Sequence, residues 1–470
     1  MRRAGVTRAL ALGLALALAA GCARKPAKPA PAPLLAGAPA DVAVLLGDPP
    51  GAPRGAHETS RPRSAIDWVN IATRTIGPVR VVSPDAPAES LALSRILVVP
   101  FALAENRQLA RRALAQVDSG RILLIVDLVD PSSKAAAKTQ SRGRIATIWH
   151  GASVILLMNE RTESEIVARL SAATPFPRLA QDPAGRFATC VLAIAGPAAT
   201  LGARCEQAAA SGIVVSAFVA KAEIAVEDLE RIRRAGAALG SWFDGGALDR
   251  ESSPERREAL WRGWRKTREK MRHLGANADE LSIVYTETPP RSEVSRRLAD
   301  AGVRLVAASG KPPEWFFSAA APHQATDRAG GPLPLLVVPV TNAGPLDAES
   351  AKSAATTATA ATDTSWLAPF TDASKSRTWL TRIDAYARFW EARSRTPLTS
   401  TWDGTRLGVE CEPSIDGLAL ILPVSAAGKT LREILFNGAT TAGETIEAPD
   451  GPCIRLSLTR GRNGVWAIYQ

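Results

Sequence analysis

Two acidic residues in the middle of the chain could carry out acid-base chemistry. Asp244 lies in the glycine-rich stretch GAALGSWFDGG, residues 236–246, and Glu287 ends the strand-like segment LSIVYTE, residues 281–287. Two carboxylates that face each other across a cleft can hydrolyse a glycoside. Acids on surface loops are the alternative interpretation. Trp242 in the same stretch could stack on a sugar ring or fill the cleft.

The elements around these residues alternate between strand and helix. Apolar strand patterns at residues 41–47, 95–102 and 121–127 are separated by helical spacing, which predicts an open α/β sheet over residues 41–180. Residues 145–159 predict two further strands around a turn at Gly151. The element order resembles flavodoxin-like and class I glutamine-amidotransferase-like modules. The region lacks the glutaminase cysteine and the G-x-G-x-x-G loop of dinucleotide-binding proteins.

A second run of β-α units covers residues 187–395 and predicts a barrel or part-barrel. Its longest helix is predicted at residues 252–275, with Ser252 and Glu255 as a capping box. Residues 347–365 are an Ala- and Thr-rich, low-complexity insertion.

This second region resembles the polysaccharide deacetylases (NodB homology, carbohydrate esterase 4-like). The resemblance is carried by LAIAGP at residues 192–197, by SGIVVSAFVAK at 211–221 and by EVSRRLADAGV at 293–303. It implies a (β/α) barrel in which one aspartate and two histidines bind a divalent metal that activates water.

The residues that match the catalytic positions of that family are unsuited to its reaction. The aspartate pair falls on Ile194 and Ala195, the histidines on Trp242 and Gly246, and the arginine on Thr288. Metal ions in proteins need imidazole, thiolate or carboxylate ligands. We therefore expect a degenerate domain without a metal or another cofactor.

The pattern changes to period two near residue 400, and short strands separated by turns predict a β-sandwich over residues 400–470. Besides Cys22 the chain has four cysteines, Cys190, Cys205, Cys411 and Cys453, which allow three pairings. Cys411 and Cys453 lie in the same small region, so we predict a disulfide between them.

The N-terminus predicts export and a lipid anchor. Residues 1–21 resemble a bacterial lipoprotein signal. They contain a basic segment followed by an Ala- and Leu-rich stretch, and the sequence LAAGC ends at Cys22. An ordinary signal peptide cut near Ala20 is the alternative. Residues 22–40 predict a Pro- and Ala-rich tether. Ala23 after the cysteine implies, by the same resemblance, the outer membrane with the protein facing the periplasm.

The net charge of +11 is spread along the chain, and the expected export argues against nucleic acid as a partner. Anionic lipid headgroups or an acidic polysaccharide fit the charge better. The favoured hypothesis is a lipid-anchored envelope protein that binds a polysaccharide or supports its processing or assembly. A metal-free hydrolase using Asp244 and Glu287, and a purely structural lipoprotein, are the alternatives.

Overall fold

The chain is a mixed α/β protein with curled half-barrel sheets. The computed structural model describes residues 39–46, 65–115, 122–126, 135–150, 154–158, 160, 162–186, 188–286, 292–308, 315–318, 333–334, 336–340, 367, 378–448 and 450–470. The signal segment, Cys22, nearly all of the tether, Glu287, Thr288 and the insertion at 347–365 lie outside these ranges.

The first sheet has five parallel strands in the order β2-β1-β3-β4-β5. Its elements are β1 Val42–Leu45, α1 Ala65–Thr75, β2 Val79–Val82, α2 Ala88–Ala92, β3 Ile96–Val99, α3 Phe101–Ala104, α4 Arg107–Leu114, β4 Ile122–Val126, α5 Ala135–Ile148, β5 Val154–Met158 and α6 Glu163–Ala173. Two core clusters lie on it, one with α1 and α6 and the other with α4 and α5. The expected open sheet with parallel strands is therefore confirmed.

The strand predicted to begin at Ile145 is wrong, because this segment is the end of α5. Ile145 and Trp149 are four residues apart, and both are fully buried against the first sheet. The Trp149 indole N–H also donates to the carbonyl of Ala104 at 2.7 Å. Helical spacing therefore explains the apolar residues that suggested a strand.

The second sheet is the half-barrel of the central region. Its strands follow the order β13-β12-β11-β10-β9-β8-β7-β14, and β15 also pairs with β7. Strands β7 to β11 are parallel and consecutive, with a helix after each of the first four. The elements are β7 Ala188–Gly196, α7 Ala198–Ala210, β8 Ser216–Val219, α8 Val226–Arg234, β9 Ala238–Trp242, α9 Gly245–Arg250, α10 Pro254–His273, α11 Ala278–Leu281, β10 Ile283–Thr286, α12 Ser292–Asp300, β11 Leu305–Ala308, β12 Trp315–Ser318, β13 Leu333–Pro334, β14 Leu336–Val340, β15 Thr378–Thr381 and α13 Ile383–Arg395.

The N-cap of the long helix α10 lies one residue later than predicted. Ser253, not Ser252, is the N-cap, and its hydroxyl accepts from the backbone N–H of Arg256 at 3.4 Å. The same hydroxyl donates to the carboxylate of Glu255 at 2.7 Å. Ser253 satisfies a free N–H of the first turn, which is the physical role that the sequence assigned to Ser252.

Two antiparallel sheets form the C-terminal part and share one core cluster. One sheet has the order β16-β17-β24-β20-β19 with β21 on β20, and the other has β22-β23-β18-β6. Their strands are β6 Arg178–Leu179, β16 Leu398–Trp402, β17 Arg406–Cys411, β18 Ala419–Pro423, β19 Ser425–Ala426, β20 Lys429–Phe436, β21 Ala439–Thr440, β22 Glu444–Ala448, β23 Gly451–Ser457 and β24 Asn463–Tyr469. Strand β6 comes from the end of the first region, so the C-terminal sheet includes a segment far away in sequence.

The predicted disulfide is absent from the structure. Cys411 and Cys453 are free, buried thiols that lie in different sheets, on β17 and β23. The Cys453 sulfur lies 3.5 Å from a guanidinium nitrogen of Arg178. Burial raises the pKa of Cys411 to about 12 and that of Cys453 to about 11. Proximity in sequence suggested a pair that the two separate sheets do not bring together.

A fully buried arginine, Arg393, connects the central half-barrel region with the first region and with the C-terminal sheets. The guanidinium of Arg393 on α13 donates to the carbonyls of Thr73 and Arg74 at the end of α1, and to those of Leu179 and Ala180 at β6. The bond to Arg74 measures 3.0 Å and the bonds to Leu179 and Ala180 measure 2.8 Å. Burial lowers the pKa of Arg393 to about 9. One charge therefore satisfies four backbone acceptors from two distant segments.

Two buried ion pairs make similar connections. Arg178 of β6 binds both carboxylate oxygens of Asp450, which precedes β23. Burial alone would raise the pKa of Asp450, but the hydrogen bonds and charge of Arg178 outweigh it, and the pKa is lowered. Arg95 lies 3.2 Å from Asp41, whose carboxylate also accepts from the backbone N–H of Ser400 at 3.1 Å. The first sheet is therefore tied to the C-terminal strands by charges shielded from water.

Candidate functional site

The carboxyl edge of the half-barrel is the place to look for chemistry, because barrel enzymes hold their sites there. The parallel strands β7, β8, β9 and β10 end side by side at Gly196, Val219, Trp242 and Thr286. The predicted site residues Trp242 and Asp244 belong to this edge. Glu287 and Thr288 follow β10 but lie outside the described residues.

Within the glycine-rich stretch at 236–246, Ala238–Trp242 form the strand β9, which is buried except at its last residue. Its glycines have conformational or packing roles. Gly236 has φ +72° and closes α8, a conformation that glycine adopts without strain. A Cβ at Gly240 would lie 2.8 Å from the carbonyl oxygen of Ile283 and 2.9 Å from the ring of Phe218. A helix end therefore explains the glycine at 236, and close strand packing explains the glycine at 240.

Trp242 is half-buried at the end of β9. It packs with Ala195 of β7 against the core cluster on the inner face of the half-barrel. Its register partner on β10 is Tyr285, which is 2% exposed. Of the two sequence interpretations of Trp242, a sugar platform or a cleft filler, this packing favours the filler for the buried part of the ring.

Asp244 is the N-cap of the short helix α9. Its carboxylate accepts from the backbone N–H of Ala247 at 2.6 Å. An N-cap satisfies one of the unpaired N–H groups of the first helical turn, and a negative charge there also interacts favourably with the helix dipole. This contact gives Asp244 a structural role, and its pairing with Glu287 stays a prediction.

The inner face of the half-barrel is filled by α13. One core cluster unites inward side chains of β7 to β10 with those of α13 and of the C-terminal strands. The α13 members are Ile383, Tyr386, Phe389 and Trp390, each at most 4% exposed. Among the described residues, α13 therefore covers the inner side of β7 to β10.

Ile194, another position that matches the deacetylase motif, faces the opposite side of the sheet. Ile194 is 1% exposed and packs under the helices α7 and α8. Within the ranges that the structure describes, no three His, Cys, Asp or Glu side chains are grouped so that they could hold a metal ion. Ile194 therefore contributes packing to this face.

Two titratable groups with shifted pKa values, Asp182 and Tyr386, lie on or near α13. Burial raises the pKa of Asp182, although a hydrogen bond from Thr189 and the charges of Arg455 and Arg393 oppose this. Burial and the charge of Asp182 raise the pKa of Tyr386 well above its usual value. Tyr386 has no exposed surface and is closed to a substrate, whereas Asp182 is half-buried.

Trp466 on β24 has the opposite environment and was not singled out from the sequence. It is 51% exposed and is the only aromatic among the large exposed apolar side chains of the described chain. The alternation in GVWAIY could have predicted this, since Val465 and Ala467 on either side point into the core.

No helix among the described residues is long and apolar enough to cross a membrane. Comparisons of the chain with protein-family models, with curated proteins and with solved structures gave no match.

Proposed function

We propose that this chain is a lipid-anchored protein of the bacterial cell envelope that binds a polysaccharide without deacetylating or cleaving it. The observation that carries the proposal is the packing of α13 against the inner face of the half-barrel. Ala195 and Trp242 stand at positions where the resemblance would place an aspartate and a histidine, and both pack against the core. These two positions therefore carry none of the reactive groups of a deacetylase.

The finer fold assignments belong to the same proposal. The order β2-β1-β3-β4-β5 supports a flavodoxin-like first module. The consecutive parallel strands β7 to β11 support a degenerate deacetylase-like (β/α) barrel. Two antiparallel sheets around one core support a C-terminal β-sandwich. Binding is favoured over hydrolysis because the carboxylate of Asp244 is engaged as a helix cap.

The anchor is assigned to Cys22, with the folded part facing the periplasm from the outer membrane. Two or more acyl chains hold a protein on a bilayer, whereas one chain holds it only marginally. The variant Cys22→Ser should fail to incorporate radiolabelled palmitate and should appear in the soluble periplasmic fraction. Palmitate incorporation in that variant would contradict the assignment.

The function is tested by co-sedimentation of the mature chain with insoluble chitin, cellulose and peptidoglycan. The supernatant is assayed for acetate and for reducing ends, with and without added Zn²⁺, Co²⁺ or Ni²⁺. Retention on a polysaccharide without either product is expected. Acetate release that depends on the metal would overturn the noncatalytic assignment, and reducing ends that disappear in Asp244→Asn would favour the hydrolase. Failure to sediment with any polysaccharide would overturn the binding function.

A further inference from the structure

The sheet that contains Trp466 presents an outward-facing row of side chains across its strands. The register places Thr401 of β16 next to Gly408 of β17, then Trp466 of β24, Leu435 of β20 and Thr440 of β21. We call this set the Trp466 face. Thr401, Trp466 and Thr440 are exposed, and Leu435 is half-buried. The face therefore has an apolar centre and a hydroxyl group at each end.

The indole of Trp466 approaches the backbone of Gly408 closely. A Cβ at Gly408 would come 2.8 Å from Cζ3 and 3.0 Å from Cη2 of the indole, and 2.8 Å from the hydroxyl oxygen of Thr401. Glycine inside a strand weakens it and often marks a close approach. Here the missing side chain leaves room for the six-membered ring of Trp466 beside the strand. Trp466 remains 51% exposed, so part of the indole is open to solvent.

The charges beside the Trp466 face are balanced. Arg406 and Glu433 are exposed and pair with the same β24 residue, Ile468, in the next row. On the other side, Glu410 forms an ion pair with Arg462 at 3.1 Å. These neighbouring rows have no excess of either sign that would select an anionic ligand.

We infer that the Trp466 face binds a pyranose ring of a neutral polysaccharide, an inference that rests on the proposed function and names its contact site. A pyranose ring has an apolar C–H face and equatorial hydroxyl groups at its perimeter. The indole matches the C–H face through area burial and the ring's negative π surface. The threonine hydroxyls and the balanced charges match the perimeter as hydrogen-bond partners.

The inference is tested by affinity electrophoresis of the full mature chain in gels that contain hydroxyethyl cellulose, galactomannan or anionic alginate. Loss of a central aromatic anchor weakens an interface by about tenfold or more. Trp466→Ala should therefore raise the dissociation constant for a neutral polysaccharide about tenfold or more, and Trp466→Tyr should retain most of the affinity. Gly408→Ala should weaken binding as well, because its Cβ would lift the indole off the strand. Leu93→Ala is the control, because it removes another exposed large apolar side chain outside any proposed site, and it should bind as the wild type does.

The possible results distinguish a failure of the Trp466 binding site from a failure of the proposed polysaccharide-binding function. If Trp466→Ala folds, as shown by an unchanged circular dichroism spectrum, and binds as the wild type does, the inference fails and the proposed function stands. If the wild type binds none of the three probes and sediments with no insoluble polysaccharide, both fail. Stronger retardation by alginate than by the neutral polymers would overturn the neutral ligand. A wild-type dimer that Trp466→Ala dissociates in size-exclusion chromatography with light scattering would assign the face to a second copy of the chain.

Discussion

Replacing Arg393 by methionine should lower the free energy of unfolding by about 3–5 kcal/mol, the usual effect of removing one partner of a buried charged contact. Its four hydrogen bonds to carbonyls would suggest about 6–12 kcal/mol if each contributed about 1.5–3 kcal/mol. The sum overestimates the loss, because burial already disfavours this charge, as its lowered pKa shows. Methionine also restores some apolar packing.

The effect should be measured by urea denaturation followed by circular dichroism, together with hydrogen exchange at α1 and β6. Arg395→Met is the matched control on the same helix, since Arg395 forms only an exposed i,i+4 pair with Glu391. Arg395→Met should lower the free energy of unfolding by less than about 1 kcal/mol. Arg393→Lys should lose nearly as much as Arg393→Met, because an ammonium cannot reproduce the guanidinium's fork of donors. A loss below about 1 kcal/mol for Arg393→Met, or unchanged exchange at both segments, would refute the reasoning.

Three further predictions concern the helix cap, a glycine and the thiols. Asp244→Asn keeps the capping hydrogen bond and loses only the charge at the helix N-terminus, so it should lower the free energy of unfolding by at most about 0.5 kcal/mol and leave polysaccharide binding unchanged. Asp244→Ala should lower it by about 1 kcal/mol in thermal or urea denaturation; equal losses in both variants would contradict a capping role. Gly240→Ala should cost about 1–3 kcal/mol by overpacking, while Gly263→Ala, in a helix with open space around it, should be neutral or stabilising; equal effects would contradict the close strand packing. Burial raises the pKa of both Cys205 and Cys411 from 9 to about 12. Between pH 9 and 11 the unfolded thiols therefore lose protons that the folded thiols keep, and stability should fall by about 1.4 kcal/mol per pH unit for each thiol. Cys205→Ala should remove one such contribution from the pH profile measured by urea denaturation, and an unchanged slope would refute this.

The half-barrel elements could be predicted because their side chains obey simple periodicity. Ile283 and Tyr285 of β10 face the inner core, while Val284 between them faces α10 and α12. Periodicity did not predict the strand β9, because small residues stand there in place of alternating large ones. The ring of Phe218 packs closely against Gly240 of this strand. Periodicity also failed at α5, whose apolar residues fit a short strand as well as a helix.

The candidate site was predicted only in part for related reasons. Trp242 and Asp244 do lie at the carboxyl edge, as the order of elements predicted. The packing of α13 on the inner face could not be predicted, because its aromatic residues are about 150 positions away from β9 in the sequence. Their spacing indicated only an amphipathic helix. The contacts of Arg393 could not be predicted at all, because its acceptors are backbone carbonyls that carry no side-chain signature.

The central claim is that the chain binds a polysaccharide and leaves it unchanged. The most direct measurement is the mass and acetyl content of a bound, partly acetylated polysaccharide, recovered after prolonged incubation with the wild-type protein and a divalent metal. The account predicts that the polymer is retained on the protein and recovered with the same length and acetyl content. Shortened or deacetylated polymer, or a polymer that the protein never binds, would contradict it.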